Sequence, residues 1–404
     1  MKKRILFVDD EALVLQGLQR MLRPMREEWD MEFSDSGAKA LERMAASPFD
    51  VIVSDMRMPG MNGAELLSRV MQQYPKTVRL ILSGHADKEL ILKCVGSTHQ
   101  FLAKPCDPEA IKATVRRASA ADDALQSDTL KRIVAKMDRL PSIPSLYTEI
   151  VEALHDPEVT LETVGDIIAK DIAMTAQILK LVNSAFFGLR RQVSSPAEAA
   201  NYLGLDTIRS LVLSINAFSQ YESVKIEGFS FSALWTHSLD TGAAAKAIAK
   251  MEGADRKLAD ESFVSGLLHD TGKIVLAANY ADKYAQVLKL MQNDGLDQCQ
   301  AEQEVFGANH ADVGGYLLGL WGLPVPVVEA IAFHHRPSGV VEKIFCPLTA
   351  VHVANAFVHR SVGTNAASPD PRLDTAYLTD LGLASRISVW RENYQKDTTT
   401  QEAA

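Results

Sequence analysis

Five short apolar runs punctuate the first 118 residues, and each is followed by a segment whose apolar residues fall at helical spacing. The runs are RILFV (4–8), MEFS (31–34), DVIVS (50–54), VRLILS (78–83) and QFLA (100–103). Strands that are apolar along nearly their whole length are buried on both faces, which requires helices above and below a parallel sheet. The pattern predicts an α/β doubly wound (βα)5 domain. From about residue 130 the strand pattern stops. LYTEIVEAL, VGDIIAKDIAMTAQILKLV, AANYLGLDTIRSLVLSINAF and LWTHSLDTGAAAKAIAK keep helical spacing, so an all-α second half is expected. The stretch 118–134 holds no Pro or Gly, which predicts a helix leaving the first domain rather than a loose linker. The expected division is 1–120 for the α/β domain, 121–138 for the helical linker and 139–390 for the all-α domain. The polar end QKDTTTQEAA makes 391–404 a disordered tail in this reading.

A chain of 404 residues is too long for one compact core, in keeping with two domains. The N-terminal apolar run is too short for a signal peptide and no uncharged stretch reaches membrane-spanning length, so a cytoplasmic protein without a membrane partner is expected. A net charge of −9 disfavours a broad nucleic-acid footprint. Cys94, Cys106, Cys299 and Cys346 form no C-x-x-C pair, which argues against a disulfide frame or a thiolate zinc site.

Asp9 and Asp10 end the first strand, Asp55 ends the third, Ser83 follows the fourth and Lys104 ends the fifth. In a sheet of order 2-1-3-4-5 these positions converge beyond the carboxyl ends of the strands, where such sheets bind ligands. Three carboxylates this close repel unless a hard cation joins them, and Mg²⁺ takes oxygen ligands. The set suits phosphoryl chemistry: Asp55 attacks phosphorus, Lys104 pairs with a phosphoryl oxygen and Ser83 donates a hydrogen bond to it. The plainer alternative makes Asp10 a helix cap and Lys104 a surface charge, and five such residues at strand ends weigh against it.

VDDE (8–11), SDMRMPGMNG (54–63), LSGHAD (82–87) and FLAKP (101–105) resemble a response-regulator receiver domain. The resemblance implies that a histidine kinase phosphorylates Asp55 and that the backbone carbonyl of Arg57 completes the Mg²⁺ site with Asp9, Asp10 and Asp55. It also implies that Ser83 and Phe101 form the moving pair that reports phosphorylation, with Phe101 where the family often has Tyr. Receivers often dimerise through one face, so a homodimer is open to this chain.

The second half carries a different set. His237 shares a helical face with Leu234, Thr241 and Ile248. In GLLHDTGK, the spacing of His269, Asp270 and Lys273 places all three on one side of a helix. His310 opens HADVGGYLLGLW, and AIAFHHRP supplies His334 and His335. Imidazole beside carboxylate suits iron, manganese or zinc, and two adjacent metals can activate a water for phosphoester hydrolysis. Core histidines bonded to backbone carbonyls are the competing reading, and spacing alone weighs the two equally. His352 and His359 share a face with Asn355 and read as amphipathic filling.

LPSIPSLYTEI, DIAMTAQILKLVNSAFFG, LWTHSL, GLLHDTGK, GANHADVGGYLLGLWGLP and AIAFHHRP together resemble the HDOD domain, an HD-related helical output module. The resemblance implies regulatory output by contact with a downstream signalling protein rather than catalysis, with a helix over 107–137 carrying the signal. His237, His269, Asp270, Lys273, His310, His334 and His335 match positions of the related HD-GYP phosphodiesterases. Asn355 stands where those enzymes have a ligand aspartate, and HHRPSG replaces their GYP element. The alternative implied is a metal-dependent HD-type phosphohydrolase acting on a cyclic dinucleotide, or a metal or ligand sensor.

Overall fold

The computed structural model describes residues 2–83, 97–104, 111–116, 159–183, 192–205, 226–340, 344–360 and 372–402, with positions 109, 134, 149, 150, 152–154, 156 and 208. Strands β1 (Lys3–Val8), β2 (Trp29–Ser34), β3 (Val51–Asp55), β4 (Val78–Ser83) and β5 (Gln100–Ala103) pair in parallel in the order β2-β1-β3-β4-β5. This is the expected doubly wound sheet. Every residue of β3 and β4 is buried, which is why these runs are apolar from end to end. Helices α1 (Ala12–Met21), α2 (Gly37–Ala46) and α3 (Gly63–Gln73) follow the first three strands. Ser36 and Asn62 cap α2 and α3 through their side-chain oxygens, accepting from Lys39 N and Glu65 N. Apart from 109, 111–116 and 134, the helix expected over 107–137 lies outside the described residues.

The chain forms two compact units: residues 1–169, 176–221 and 316–323 make the first, and 170–175, 222–315 and 324–404 the second. In the first unit the sheet is packed by more than its own helices. Gln100, at the start of β5, donates from Nε2 to the carbonyl of Leu320 at 3.0 Å. Gly322 follows with φ +79°, and a Cβ there would lie 3.2 Å from the Gln100 carboxamide carbon. Trp321 beside it carries the buried Lys180 ammonium 4.6 Å from its ring centroid, a cation–π contact. Arg79, fully buried at the start of β4, donates from Nε to Ser97 O at 2.7 Å and from its backbone to His99 Nδ1 at 3.0 Å.

The regular elements of the second unit among the described residues are all helices, as expected for the second half. Its helices Phe231–Met251 and Arg256–Leu268 touch backbone to backbone, since a Cβ on Gly266 would fall 2.7 Å from Gly242 Cα. Ile248, Val351, Phe357, Tyr377 and Trp390 belong to one buried cluster. The segment read as a disordered tail from 391 continues the helix Arg386–Glu402. Its anchor is Trp390, fully buried, whose indole N–H donates to Glu252 Oε1 at 2.8 Å while Arg386 donates to the same oxygen. Tyr394, one turn on, packs against Phe357. Two aromatic anchors thus hold a segment whose composition is otherwise polar. Trp390→Phe removes a hydrogen bond to a carboxylate and is expected to cost about 2 kcal/mol. An unchanged urea midpoint would assign the anchoring to ring packing alone. No helix among the described residues is long and apolar enough to cross a membrane.

Candidate phosphoacceptor site and candidate metal centre

At the carboxyl ends of the strands, Asp9 is buried, Asp10 beside it is exposed, and Asp55 closes β3. Lys104 Nζ donates to Asp9 Oδ2 at 2.7 Å and to Asp55 Oδ1, so one ammonium spans both carboxylates. The second Asp55 oxygen accepts from Arg57 N at 2.9 Å, and Asp9 Oδ1 accepts from Glu11 N at 2.9 Å. Burial raises the Asp55 pKa, and the Asp9 charge adds to this against the opposing pull of Lys104. For Lys104, burial favours the neutral amine, yet its bonds to Asp55 and Asp9 outweigh it and raise the pKa. Gly63 lets α3 begin against this loop, since a Cβ there would sit on the Asp55 carbonyl oxygen. Ser83 is fully buried and its Oγ has no hydrogen-bond partner among the described residues. Phe101 is also fully buried, opposite Ile81 in the ladder, with Ser83 opposite Ala103. Asp9 and Asp55 are thus brought together by one ammonium, and carboxylate oxygens of this kind are the hard donors Mg²⁺ takes.

The second unit gathers His237, His269, Asp270, Lys273, His310, His334 and His335. The spacing of His269, Asp270 and Lys273 predicted one helix face; the structure instead breaks the helix between them. His269 caps the end of Arg256–Leu268 and Asp270 precedes Thr271–Asn279. Just past the break, Gly272 lies directly on the backbone of His310. The break turns Asp270 inward at the centre of the set. Its Oδ2 accepts from Lys273 Nζ at 2.8 Å and lies 3.3 Å from His269 Nε2 and 3.7 Å from His237 Nε2. Its Oδ1 lies 3.2 Å from His310 Nε2 and 3.9 Å from His334 Nε2.

The other ring nitrogens fix the tautomers. His269 Nδ1 donates to Gly266 O at 2.7 Å, His334 Nδ1 to Ile331 O at 2.8 Å and His310 Nδ1 to Glu302 Oε2 at 2.6 Å. With Nδ1 donating, each of these rings turns its Nε2 toward the Asp270 carboxylate. His269 Nε2, His334 Nε2 and Asp270 Oδ1 are buried with no hydrogen-bond partner among the described residues. Two buried ring nitrogens and a carboxylate oxygen left without hydrogen-bond partners are atoms that a metal ion can satisfy, and the backbone and Glu302 acceptors orient the rings as the outer partners of metal-binding imidazoles do. Candidate ligand atoms of His237, His269 and Asp270, and of Asp270, His310 and His334, lie within 4.8 Å of one another. Burial lowers the pKa of His334 well below the usual imidazole value, with His335 adding to it. For His310 burial opposes the charge, yet Glu302 and Asp270 outweigh it and raise the pKa. Burial would raise the Asp270 pKa, but the neighbouring His269 ring and Lys273 ammonium hold it well below the usual carboxylate range.

His237 stands somewhat apart. Its Nε2 contacts Asn355 Oδ1 at 3.0 Å, and burial, followed by His269, lowers its pKa to about 3. His352 is tied on both nitrogens, donating from Nδ1 to His334 O at 2.8 Å and accepting from Asp374 N at 2.9 Å, so it supports the His334 backbone. The His359 ring lies 4.3 Å from that of His237. Sequence reading passed over Glu302, fully buried, whose Oε2 also accepts from His310 N at 2.7 Å. Its Oε1 accepts from Gln298, which also donates to Tyr284 Oη. A glutamate on an otherwise unremarked helix gives no signal in spacing.

A fold with a phosphoacceptor-type acidic edge and a helical unit with a histidine–aspartate centre defines a class of signalling protein. Residues 5–116 match the response regulator receiver domain and residues 140–337 the HDOD domain. The crystal structure of the MmoQ response regulator from Methylococcus capsulatus has 26% identity and a TM-score of 0.50, covering 63% of this chain and 98% of that one. An uncharacterized protein of Treponema pallidum is 29% identical over 251 residues, 61% of this chain and 48% of that protein. The hydrogenase transcriptional regulatory protein HoxA of Cupriavidus necator is 36% identical over 126 residues, 31% of this chain and 25% of its own. The chain thus spans about half of the first of these two relatives and a quarter of the second. It belongs to the response regulators, with a receiver domain followed by an HDOD domain.

Proposed function

We propose that a histidine kinase phosphorylates Asp55 and that the HDOD domain delivers the output by contact with a downstream signalling protein. The observation that carries this is Asp55 itself, closing β3 with both oxygens held, one by Lys104 and one by the Arg57 amide. A carboxylate so fixed presents one direction of attack, and Lys104 meets the charge that arrives with the phosphoryl group. Asp9, Asp10 and the Arg57 carbonyl would hold Mg²⁺, which neutralises phosphoryl oxygens when bound. Phe101 and Gln100 are neighbours in β5, and Gln100 holds Leu320 of the HDOD domain, so a shift of the strand that carries Phe101 pulls on a bond to the output domain. An acyl phosphate supplied with Mg²⁺ should add one phosphoryl group to the wild type, read by intact mass, and none to Asp55→Asn. Equal labelling of the two would place the acceptor elsewhere.

The unpartnered Nε2 atoms of His269 and His334 beside Asp270 favour a metal centre in the HDOD domain, with iron, manganese or zinc as the ions such donors take. His269, Asp270, His310 and His334 would hold it, and a bound dication would polarise a water or a phosphate oxygen there. Asn355 beside His237 brings no charge to a second dication, which favours sensing or structural use of the metal over phosphodiester hydrolysis.

A further inference from the structure

Cys299 lies in the first turn of the helix Gln298–Phe306, half-buried, with a free thiol. Its Sγ and one ring nitrogen each of His310 and His335 all lie within 4.8 Å of one another. We propose that these three side chains form a thiolate-containing metal position, beside the Asp270 position, that takes Zn²⁺ or a dication of similar chemistry. The inference rests on the metal reading of the cluster and adds to it a donor of a different class.

Three observations support the assignment. First, the helix that carries Cys299 also carries Glu302 one turn later, and Glu302 fixes His310 by accepting from its Nδ1. One helix face therefore supplies both the sulfur and the carboxylate that orients the neighbouring imidazole, the outer support that metal-binding histidines take. Second, His310 Nε2 lies 2.9 Å from His335 Nε2. With His310 Nδ1 committed to Glu302, a proton or a cation must stand between those nitrogens. Third, the adjoining group that shares His310 leaves His334 Nε2 and Asp270 Oδ1 buried without hydrogen-bond partners among the described residues. A sulfur about 2.3 Å and nitrogens about 2.0–2.1 Å from Zn²⁺ stand roughly 3.3–3.6 Å apart in a tetrahedron, so the two nitrogens, now 2.9 Å apart, would part slightly to admit the ion while the sulfur closes on it.

The position is open to solvent in a way that Asp270 is not, since His335 is exposed and Cys299 half-buried while Asp270 is fully buried. A metal entering there displaces the thiol proton to water. The scattered cysteines gave no sign of this, because zinc-site spacing rules look for paired thiols and not for one sulfur completing a histidine set.

Metal-free, full-length protein titrated with Co²⁺ tests the inference. The wild type is expected to develop a sulfur-to-cobalt charge-transfer band in the near ultraviolet. Cys299→Ser should abolish the band while cobalt still binds at the Asp270 position, and Zn²⁺ should displace one equivalent of cobalt at least about tenfold less tightly from the variant. Cys346→Ser, which alters the other free thiol of the described residues, should keep the band. Cobalt binding by the wild type without the band, or a band that persists in Cys299→Ser, overturns the thiolate position and leaves the histidine centre standing. Absence of any cobalt binding overturns both.

Discussion

Alanine at Gly272 is expected to destabilise the HDOD domain by about 3 kcal/mol or more and to dislodge His310. A Cβ at this position would lie 1.9 Å from the His310 carbonyl oxygen and 2.7 Å from its carbonyl carbon. Both are backbone atoms at the start of the helix His310–Leu320, so no side-chain rotation relieves the clash. Gly314 makes the approach mutual, since its own Cβ would come 3.2 Å from Gly272 N. The two helices must part, and with them the His310 Nε2 to Asp270 Oδ1 separation of 3.2 Å. Gly17→Ala, in α1 where a Cβ meets nothing within 4 Å, is the control and should gain about 0.5–1 kcal/mol. Urea denaturation of both variants, followed by metal analysis, reads the two effects together. A Gly272→Ala midpoint equal to the wild type would mean that the helices are not held by this contact.

The same glycine shows where sequence reading stops. The five strands are legible because burial on both faces leaves apolar runs with few alternatives, and all of the sheet order follows from that class of fold. The acidic edge is legible because strand ends in such a sheet converge whatever the rest of the chain does. The helical half is different. A periodic reading runs one helix through His269, Asp270 and Lys273, whereas the chain breaks there and sets Gly272 against His310, a distant contact that local spacing does not carry. The bond from Gln100 to Leu320 joins positions 220 apart and leaves no trace in either segment. Polar composition hid the helix Arg386–Glu402 because its anchoring lies in Trp390 and Tyr394 rather than in its mean hydropathy. Residue types at the histidine cluster announce the chemistry; tautomers and the support from Glu302 appear when the donors are placed.

Removal of the Asp270 carboxylate is expected to have the larger consequence for that chemistry. Asp270 is fully buried, accepts from Lys273 Nζ at 2.8 Å and stands within 4 Å of four imidazoles. In chelator-treated protein, Asp270→Ala leaves the buried Lys273 ammonium without its counter-charge, a type of loss that costs about 3–5 kcal/mol. Lys273→Met in the same background deletes the stranded charge and should recover part of that cost, with a coupling of about 2 kcal/mol between the two sites. Metal adds a separate arm. Wild-type protein purified without chelator should carry iron, manganese or zinc by mass spectrometry, and Asp270→Ala should lose the equivalent held at the histidine–aspartate centre, because the carboxylate is the donor common to both groups around it. The arms can disagree, and each disagreement has one meaning. Destabilisation without metal in the wild type makes the cluster a buried ion network that holds the Thr271–Asn279 helix in place. Metal lost from Asp270→Ala with an unchanged midpoint in chelator makes Asp270 a ligand whose charge other groups already balance. Both effects together make the carboxylate counter-ion and ligand at once, so that metal occupancy feeds directly into the stability of the output domain.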